Sequence, residues 1–507
     1  MTTKTRTILP ALLLIAAALA ASAMLFIGQP QMGAIPSGAR LDAITRSPHY
    51  RGGEFQNLDP TPVLTGDSST LSIILSGWLN PAKDLAPAAP LAAVKTDLHR
   101  LDRHADLVIW LGHSSYYVQL AGKRILIDPV FSDNAAPLPY ANEAFAGSNP
   151  YSAGDFPDID YLLISHDHWD HLDYSTLKAL LPRVKAVVSG LGVGAHLERF
   201  GYPQARIHEA DWNSILQLDP ELTIHLLPAR HYSGRLFKKN QTLWVAFALK
   251  SVRQTLFFSG DSGYGRHFAD IGRRLGPIDL AVLDMGQYDP RWPLIHMTPE
   301  EAAKAAEDLQ ARALMPAHLG KFALANHPWM APLDRISLAS DGKPYRLLTP
   351  RIGQPLAMAS LPDTGAWWQQ EFAQNVTLSL NGQDNMRIKM TINGRTAVAT
   401  LDDTPSARDF FSQLPLTLAL ALALALEEYA QTEKIAYLPR KLTTQAAPEG
   451  IDPQVGDIAY YAPWGNLAIY YRNFGYSSGL IRLGRLASGL DALTAQPSGT
   501  LTIEAVK

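Results

Sequence analysis

From Ala105 onward the apolar positions fall into short runs, each closed by a glycine, a proline or a polar residue. Leu107 to Leu111 ends at Gly112-His113, and Ile125 to Ile127 ends at Asp128-Pro129. Runs of this length bounded by turn residues read as strands, and Gly122-Lys123 between two of them reads as a hairpin turn. Further strands are expected at Asp160 to Ser165, Ala186 to Ser189, Leu222 to Pro228, Trp244 to Lys250, Thr255 to Ser259, Leu280 to Asp284 and Ala313 to Pro316. Helices are expected over Leu172 to Leu181, Gly194 to Phe200 and Pro299 to Asp308, the last capped by Thr298. Strands alternating with helices predict a layered α/β fold, with its site on the loops beyond the strand ends.

The pattern differs at both ends of the chain. Gln29 to about Pro90 is rich in Pro, Gly, Ser and Asn and reads as a linker followed by an irregular arm, with Leu71 to Leu79 as a short helix or strand in it. Residues 358–385 read as a linker, and the rest is mainly β. RIKMTINGRTAVATL alternates apolar and polar positions around Asn393-Gly394, a hairpin signal. DTPSARDFFSQLP is a helix capped by Asp403 or Thr404, and GDIAYYAPWGNLAIYYR and GLIRLGRL are strand-like. Leu416 to Leu426 alternates Leu with Thr or Ala and is too short to span a membrane. It reads as an extended hairpin arm, an inserted helix turn or a buried strand, with a partner or lipid weighed as a contact for its apolar side. The expected division is 1–28, 45–357, 358–385 and 386–507.

Composition narrows the function classes. The chain has 507 residues, enough for two or three domains, and 47% hydrophobic with 18% charged residues is a globular balance. A net charge of −3 without a basic stripe argues against nucleic acid. There is no cysteine, so disulfides, thiolate metal sites and Cys nucleophiles are excluded. Lys4 and Arg6 precede an apolar run from Ile8 to Ile27, which reads as a signal peptide or membrane anchor. Its length favours an anchor, while Ala21-Ser22-Ala23 resembles a cleavage site. Either way the chain is expected outside the cytoplasm, anchored in the inner membrane facing the periplasm, or exported.

The densest chemistry lies in SHDHWDH, Ser165 to His171. His166, Asp167, His168, Asp170 and His171 follow the apolar run Tyr161 to Ile164. Imidazole and carboxylate together suit zinc, manganese or iron. Two ions are easier to justify than one, because His166 and His168 point at one centre and Asp170 and His171 at another. His231, Asp261 and His318 each stand just beyond a strand, so loops at one sheet edge can bring them to the same place.

These residues carry a resemblance. The HxHxDH pattern with a later His, Asp and His is similar to the metallo-β-lactamase superfamily, whose fold is an αββα sandwich. GHSSYYVQLAGKRILIDPVFS, FFSGDSGYGRHFADIGRRLGPIDLAVLDMGQYDPRW, HMTPEEA and AHLGKFALANHPW resemble bacterial relatives of N-acylphosphatidylethanolamine-hydrolysing phospholipase D, over about residues 45 to 355. The resemblance implies two Zn²⁺ per chain, with Mn²⁺ or Fe²⁺ also suited. One ion would be held by His166, His168 and His231, the other by Asp170, His171 and His318, with Asp261 between them. It leaves Asp167 as a supporting residue. His113 is a partner behind a ligand or, as the preferred reading, a loop cap.

The implied reaction is hydrolysis of a phosphodiester, in the manner of a phospholipase D, by a hydroxide shared between the ions. Asp170 or Asp261 would orient that hydroxide, and His296 would contact the phosphoryl or leaving group, unless it is only a neighbour of the Pro299 helix. The substrate would be a phospholipid or other small molecule. Tyr288, Arg291 and Trp292 are candidates to line the cavity, with Arg291 on an anionic headgroup or, more simply, packed on Trp292. A lactonase or other carboxylic-ester hydrolase on the same site is the alternative; a regulatory module with a structural metal is disfavoured by the complete set of seven ligands. The C-terminal part resembles a cyclophilin-like β-barrel family through INGRTAVATLDDTPSARDFFSQLPLTL and GDIAYYAPWGNLAIYYRNFG, without residues that would support prolyl isomerisation.

Overall fold

The computed structural model describes residues 21–506 except 23, 67–68, 83, 139, 236–237, 370–385, 393, 423–431, 446 and 491–498. The chain divides into two compact units, Met1–Trp367 and Trp368–Lys507.

The first unit contains two seven-stranded sheets. Strands β1 (Leu107–Trp110), β2 (Tyr116–Leu120), β3 (Lys123–Ile127), β4 (Ile159–Ile164), β5 (Val184–Gly190) and β6 (Ile207–Ala210) form one. Strands β7 (Ser214–Asp219), β8 (Leu222–Leu227), β9 (Ala246–Ser251), β10 (Thr255–Phe258), β11 (Leu280–Asp284), β12 (Ala313–Ala317) and β13 (Arg346–Leu347) form the other, and β14 (Pro355–Ala357) returns to the edge of the first beside β1. Pairing is parallel from β3 to β6 and from β10 to β13, and antiparallel elsewhere in both sheets. Successive side chains face opposite ways, so each inner strand serves two layers. Tyr116 packs on Phe258 of the opposite sheet at 5.4 Å, while its neighbour Tyr117 turns to Phe156. This is the expected sandwich, and it explains the unbroken apolar runs: every residue of β4 and β11 is buried.

The predicted helices lie between these strands. Tyr174–Leu180 begins later than the apolar run suggests, because the Asp173 carboxylate accepts the Thr176 amide and caps it there. Pro299–Asp308 carries a capping box between Thr298 and Glu301. Thr70–Leu79 settles the ambiguous stretch in the arm as a helix. Residues 358–367 pack on this unit: Trp367 is buried and its indole N–H donates to Thr349 O.

The second unit is a closed eight-stranded barrel. Its strands are β15 (Arg387–Ile392), β16 (Arg395–Leu401), β17 (Leu416–Leu422), β18 (Glu433–Tyr437), β19 (Asp457–Tyr461), β20 (Asn466–Tyr470), β21 (Leu480–Ser488) and β22 (Gly499–Ala505). Ile388, Met390, Ile392, Ala397, Ala399, Ile458, Tyr460, Leu467 and Ile469 fill its core, as alternation requires. The helix Pro405–Phe411 is capped by Thr404, not Asp403. Leu416–Leu422 is a barrel strand between β18 and β22; Asn393 and the remainder of that leucine run lie outside the described residues. Of the leader read over residues 1–28, residues 1–20 and 23 also lie outside them. Among the described residues no helix is long and apolar enough to cross a membrane.

Candidate metal centre

All seven ligand positions expected from the sequence come together at the carboxyl ends of strands. β4 runs into His166, His168, Asp170 and His171; β8 leads to His231, β10 to Asp261 and β12 to His318. His113 follows β1 in the same way. Loops at the carboxyl edge of a parallel sheet converge, so residues far apart in sequence meet.

Three overlapping groups of donors form among the described residues, two that contain the expected ligands and a third of Asp261, Asp284, His296 and His318. His168 Nδ1 lies 2.9 Å from His166 Nε2 and 3.2 Å from His231 Nε2, so three imidazoles turn ring nitrogens to one point, with Asp261 completing the group. Asp170, His171, His318 and His113 form the second group. Asp261 reaches both. Its Oδ2 is 3.7 Å from both His166 and His231 Nε2, and its Oδ1 is 3.1 Å from His171 Nε2 and 3.2 Å from His318 Nδ1.

Backing bonds orient these rings. His231 Nδ1 is 2.9 Å from Ile295 O and so carries a proton, which leaves Nε2 as the donor nitrogen. His171 Nδ1 lies 2.9 Å from Asp128 Oδ2, and the same carboxylate accepts the Ser165 amide and hydroxyl. Ser114 Oγ lies 3.1 Å from His318 Nδ1, the nitrogen that also faces Asp261, and so stands at the edge of the donor group rather than behind the ring. His113 corrects the preferred loop-cap reading: it is fully buried, and its Nε2 stands 2.8 Å from Asp170 Oδ2. His113 and His318 both have positive φ, 53° and 64°, and their backbones bond reciprocally, His318 N to His113 O and His113 N to Leu319 O. Such backbone strain persists where surrounding contacts over-determine it. Gly286 passes so close to this turn that a Cβ there would stand 1.8 Å from His318 O.

Asp167 is a support. Its carboxylate accepts from Gly234 N, Thr242 Oγ1 and His196 Nε2 at 2.8, 2.9 and 3.2 Å, tying the loop down from behind. Burial alone would raise its carboxyl pKa; His196 and the other donors hold it well below the usual range.

His296 reaches the centre. Its ring stacks on His318 and meets His231 edge-on, each at 5.0 Å, and its Nδ1 is bonded to Asp284 Oδ2 at 2.8 Å. Burial opposes protonation of His296, but Asp284 outweighs it and raises the imidazole pKa. Arg291 is committed elsewhere: Nε and Nη2 both pair with Asp289, Nη1 donates to Ser76 Oγ, and the guanidinium lies 5.1 Å from the Trp292 ring. Tyr288 stacks on His327 at 4.4 Å, and Trp292 donates to Gln287 O. The packing reading therefore holds for the Arg–Trp pair.

The donor set suits divalent cations. His171 Nε2 and Asp261 Oδ1, both turned into the donor groups, are buried and make no hydrogen bond among the described residues. Burial, aided by the charge of Asp284, pushes the Asp261 carboxyl up to about 7. A cation between these groups would satisfy nitrogens and oxygens that are otherwise costly to bury.

Asp128, Asp284, Ser114 and Ser165 were not among the expected site residues. Asp128 and Asp284 nevertheless carry the signal that marked the ligands, a carboxylate closing an apolar run in RILID and LAVLD.

The family model described as beta-lactamase superfamily domain matches residues 123–319, and one described as cyclophilin-like family matches residues 390–504. An uncharacterized protein of Mycobacterium tuberculosis is 39% identical over 330 residues, covering 64% of this chain and 88% of that protein. The N-acyl-phosphatidylethanolamine-hydrolyzing phospholipase D 1 of Caenorhabditis elegans is 31% identical over 248 residues, covering 46% of this chain and 69% of it. The outer membrane protein RomA of Klebsiella pneumoniae is 55% identical over 101 residues, covering 20% of this chain and 76% of it. The chain thus belongs to the metallo-β-lactamase superfamily as a metal-dependent hydrolase, homologous to N-acyl-phosphatidylethanolamine-hydrolysing phospholipases D and extended by a cyclophilin-like domain.

Proposed function

We propose that this protein is a dinuclear, zinc-loaded phosphodiesterase of phospholipase D type. The observation that carries this is the pair of donor groups joined through Asp261, with His296 held beside them by Asp284. The names of its phospholipase D relatives support a phosphodiester as the bond cleaved. The apolar leader, read as an anchor, would put the site near lipid.

His166, His168, His231 and Asp261 would hold one ion, and Asp170, His171 and His318, with Asp261 shared, the other. Bound divalent ions supply Lewis acidity there, acidifying water and offsetting negative charge on the transferred group. The protein's own part is positional. Asp128, Ile295 O and His113 fix the rings and the Asp170 carboxylate, so that no donor has to reorganise during turnover. Asp170 and Asp261 accept and orient the attacking water. His296 is oriented through Nδ1, which leaves Nε2 to meet the leaving oxygen and give it a proton. The products are an alcohol and a phosphomonoester.

The test is hydrolysis of a phosphatidylethanolamine N-acylated on its amine, in water enriched in heavy oxygen. The label should enter the phosphomonoester and be absent from the alcohol. Cleavage of lactones or carboxylic esters with the phosphodiester untouched would replace this reading by the ester-hydrolase one.

A further inference from the structure

Residues 28–34, where the leader ends, are bonded to the back of the loop Ser165 to His171. Met32 is buried, and Arg199 Nη2 donates to Gly28 O at 2.6 Å. Ala34 N donates to His196 Nδ1 at 3.0 Å, and Arg235 Nε donates to Gln31 O at 2.7 Å. Gly33, with a φ of 76°, passes so near the imidazole that a Cβ there would stand 2.0 Å from His196 Nδ1.

His196 and Arg235 are both buried, and both reach on to Asp167. His196 Nδ1 accepts from a backbone amide, so it carries a lone pair and the ring proton sits on Nε2. Nε2 is the nitrogen that donates to Asp167 Oδ2, at 3.2 Å. The Ala34 amide therefore selects the tautomer that Asp167 requires. Arg235 Nη1 donates to Asp167 O at 3.0 Å, and the guanidinium lies 3.7 Å from the centre of the Trp169 ring. Arg235 Nη2 makes no hydrogen bond among the described residues, so without Gln31 O a second buried nitrogen of this cation would lose its acceptor. Asp167 is thus held at its carboxylate and at its carbonyl, each through one side chain, by the segment from Gln31 to Ala34.

Asp167 stands between His166 and His168, which belong to the donor group completed by His231 and Asp261. The group of Asp170, His171 and His318 has its own support, Asp128 behind His171 and His113 behind Asp170. We propose that residues 31–34 set the geometry of the first of these groups alone, with His196 and Arg235 as its positioning residues. Loosening the segment would let His166 and His168 drift apart and leave the second group as it is.

The test is titration of the metal-free full chain with zinc against a coloured chelator, read as two affinities. Gly33→Ala drives a methyl into the His196 ring, His196→Ala removes the relay, and Arg235→Lys gives up the guanidinium that spans Gln31 O and Asp167 O. Each should weaken one zinc affinity about 10–100-fold and leave the other within about twofold. Arg206→Ala, which removes a bond to Val184 O at the amino end of β5, should lower the thermal midpoint and move neither affinity. The proposal is overturned if folded His196→Ala or Arg235→Lys keeps both affinities, if both fall together, or if Arg206→Ala has the same effect. It rests on the two-ion reading above, and the outcomes separate the two: a single zinc step in the parent chain would refute that reading, while its weakening in His196→Ala but not in Arg206→Ala would still support the role given to residues 31–34.

Discussion

Asp128→Asn isolates the contribution of the groups behind the metal ligands. Asp128 is 1% exposed, and its two oxygens take three donors: Ser165 N on Oδ1, Ser165 Oγ and His171 Nδ1 on Oδ2. Asparagine offers one oxygen in place of two. If that oxygen keeps the Ser165 amide, an NH₂ faces the His171 Nδ1 proton. The ring must then lose its bond or carry the proton on Nε2, the nitrogen turned toward Asp261. If the amide is flipped, the buried Ser165 N–H loses its acceptor. Either outcome removes one hydrogen bond to a charged group, about 1.5–3 kcal/mol. That corresponds to about 10–100-fold in metal affinity or activity, the range typical of groups behind metal-bound histidines. Competition with a coloured chelator would give the affinity, and kcat/KM of reloaded protein the activity. A correctly folded variant within about twofold of the parent in both would refute the view that Asp128 orients His171.

Three further changes test the surroundings. Lys321 is fully buried, with Nζ donating to Val130 O and Asn149 Oδ1, and burial pushes its amine from 10.5 down to about 7. Between these values the unfolded chain holds a proton that the native one lacks, so stability rises with pH. The gain is about 1.4 kcal/mol per unit above pH 7. Relative to Lys321→Met, the parent should gain about 2 kcal/mol between pH 7 and 9 in urea unfolding, and parallel curves would contradict this. Gly286→Ala drives a methyl against His318 O and should lower both the thermal midpoint and the bound metal; a variant with normal metal content would show that the turn can relax. His296→Asn should keep its metal yet lose about 10²–10⁴-fold in kcat, least on substrates with acidic leaving groups; an equal loss on all leaving groups would exclude proton donation.

Much of this was legible in the sequence because strand and ligand share one signal. An apolar run that stops at a histidine or aspartate marks both a strand end and a candidate donor, the family resemblance singled out seven of these, and the fold brings all seven together. What the pattern misses is reciprocal contact. Nothing local in GHSS shows that the His113 ring meets Asp170 or that its backbone bonds to the His318 turn. Asp128 and Asp284 end their runs as the ligands do, yet only the folded chain separates a carboxylate that backs an imidazole from one that faces both donor groups. For Arg291 the sequence left a headgroup contact open beside the simpler packing on Trp292, and only the fold decides, because Asp289, two residues earlier, occupies the guanidinium.

The most direct test of the central claim is metal content measured together with product identity on the full chain. The account predicts two divalent ions per chain, held through the donor groups that share Asp261, and release of a phosphomonoester that disappears on chelation and returns on reloading with zinc. One ion per chain at full activity, or phosphodiester cleavage that survives complete removal of metal, would contradict it.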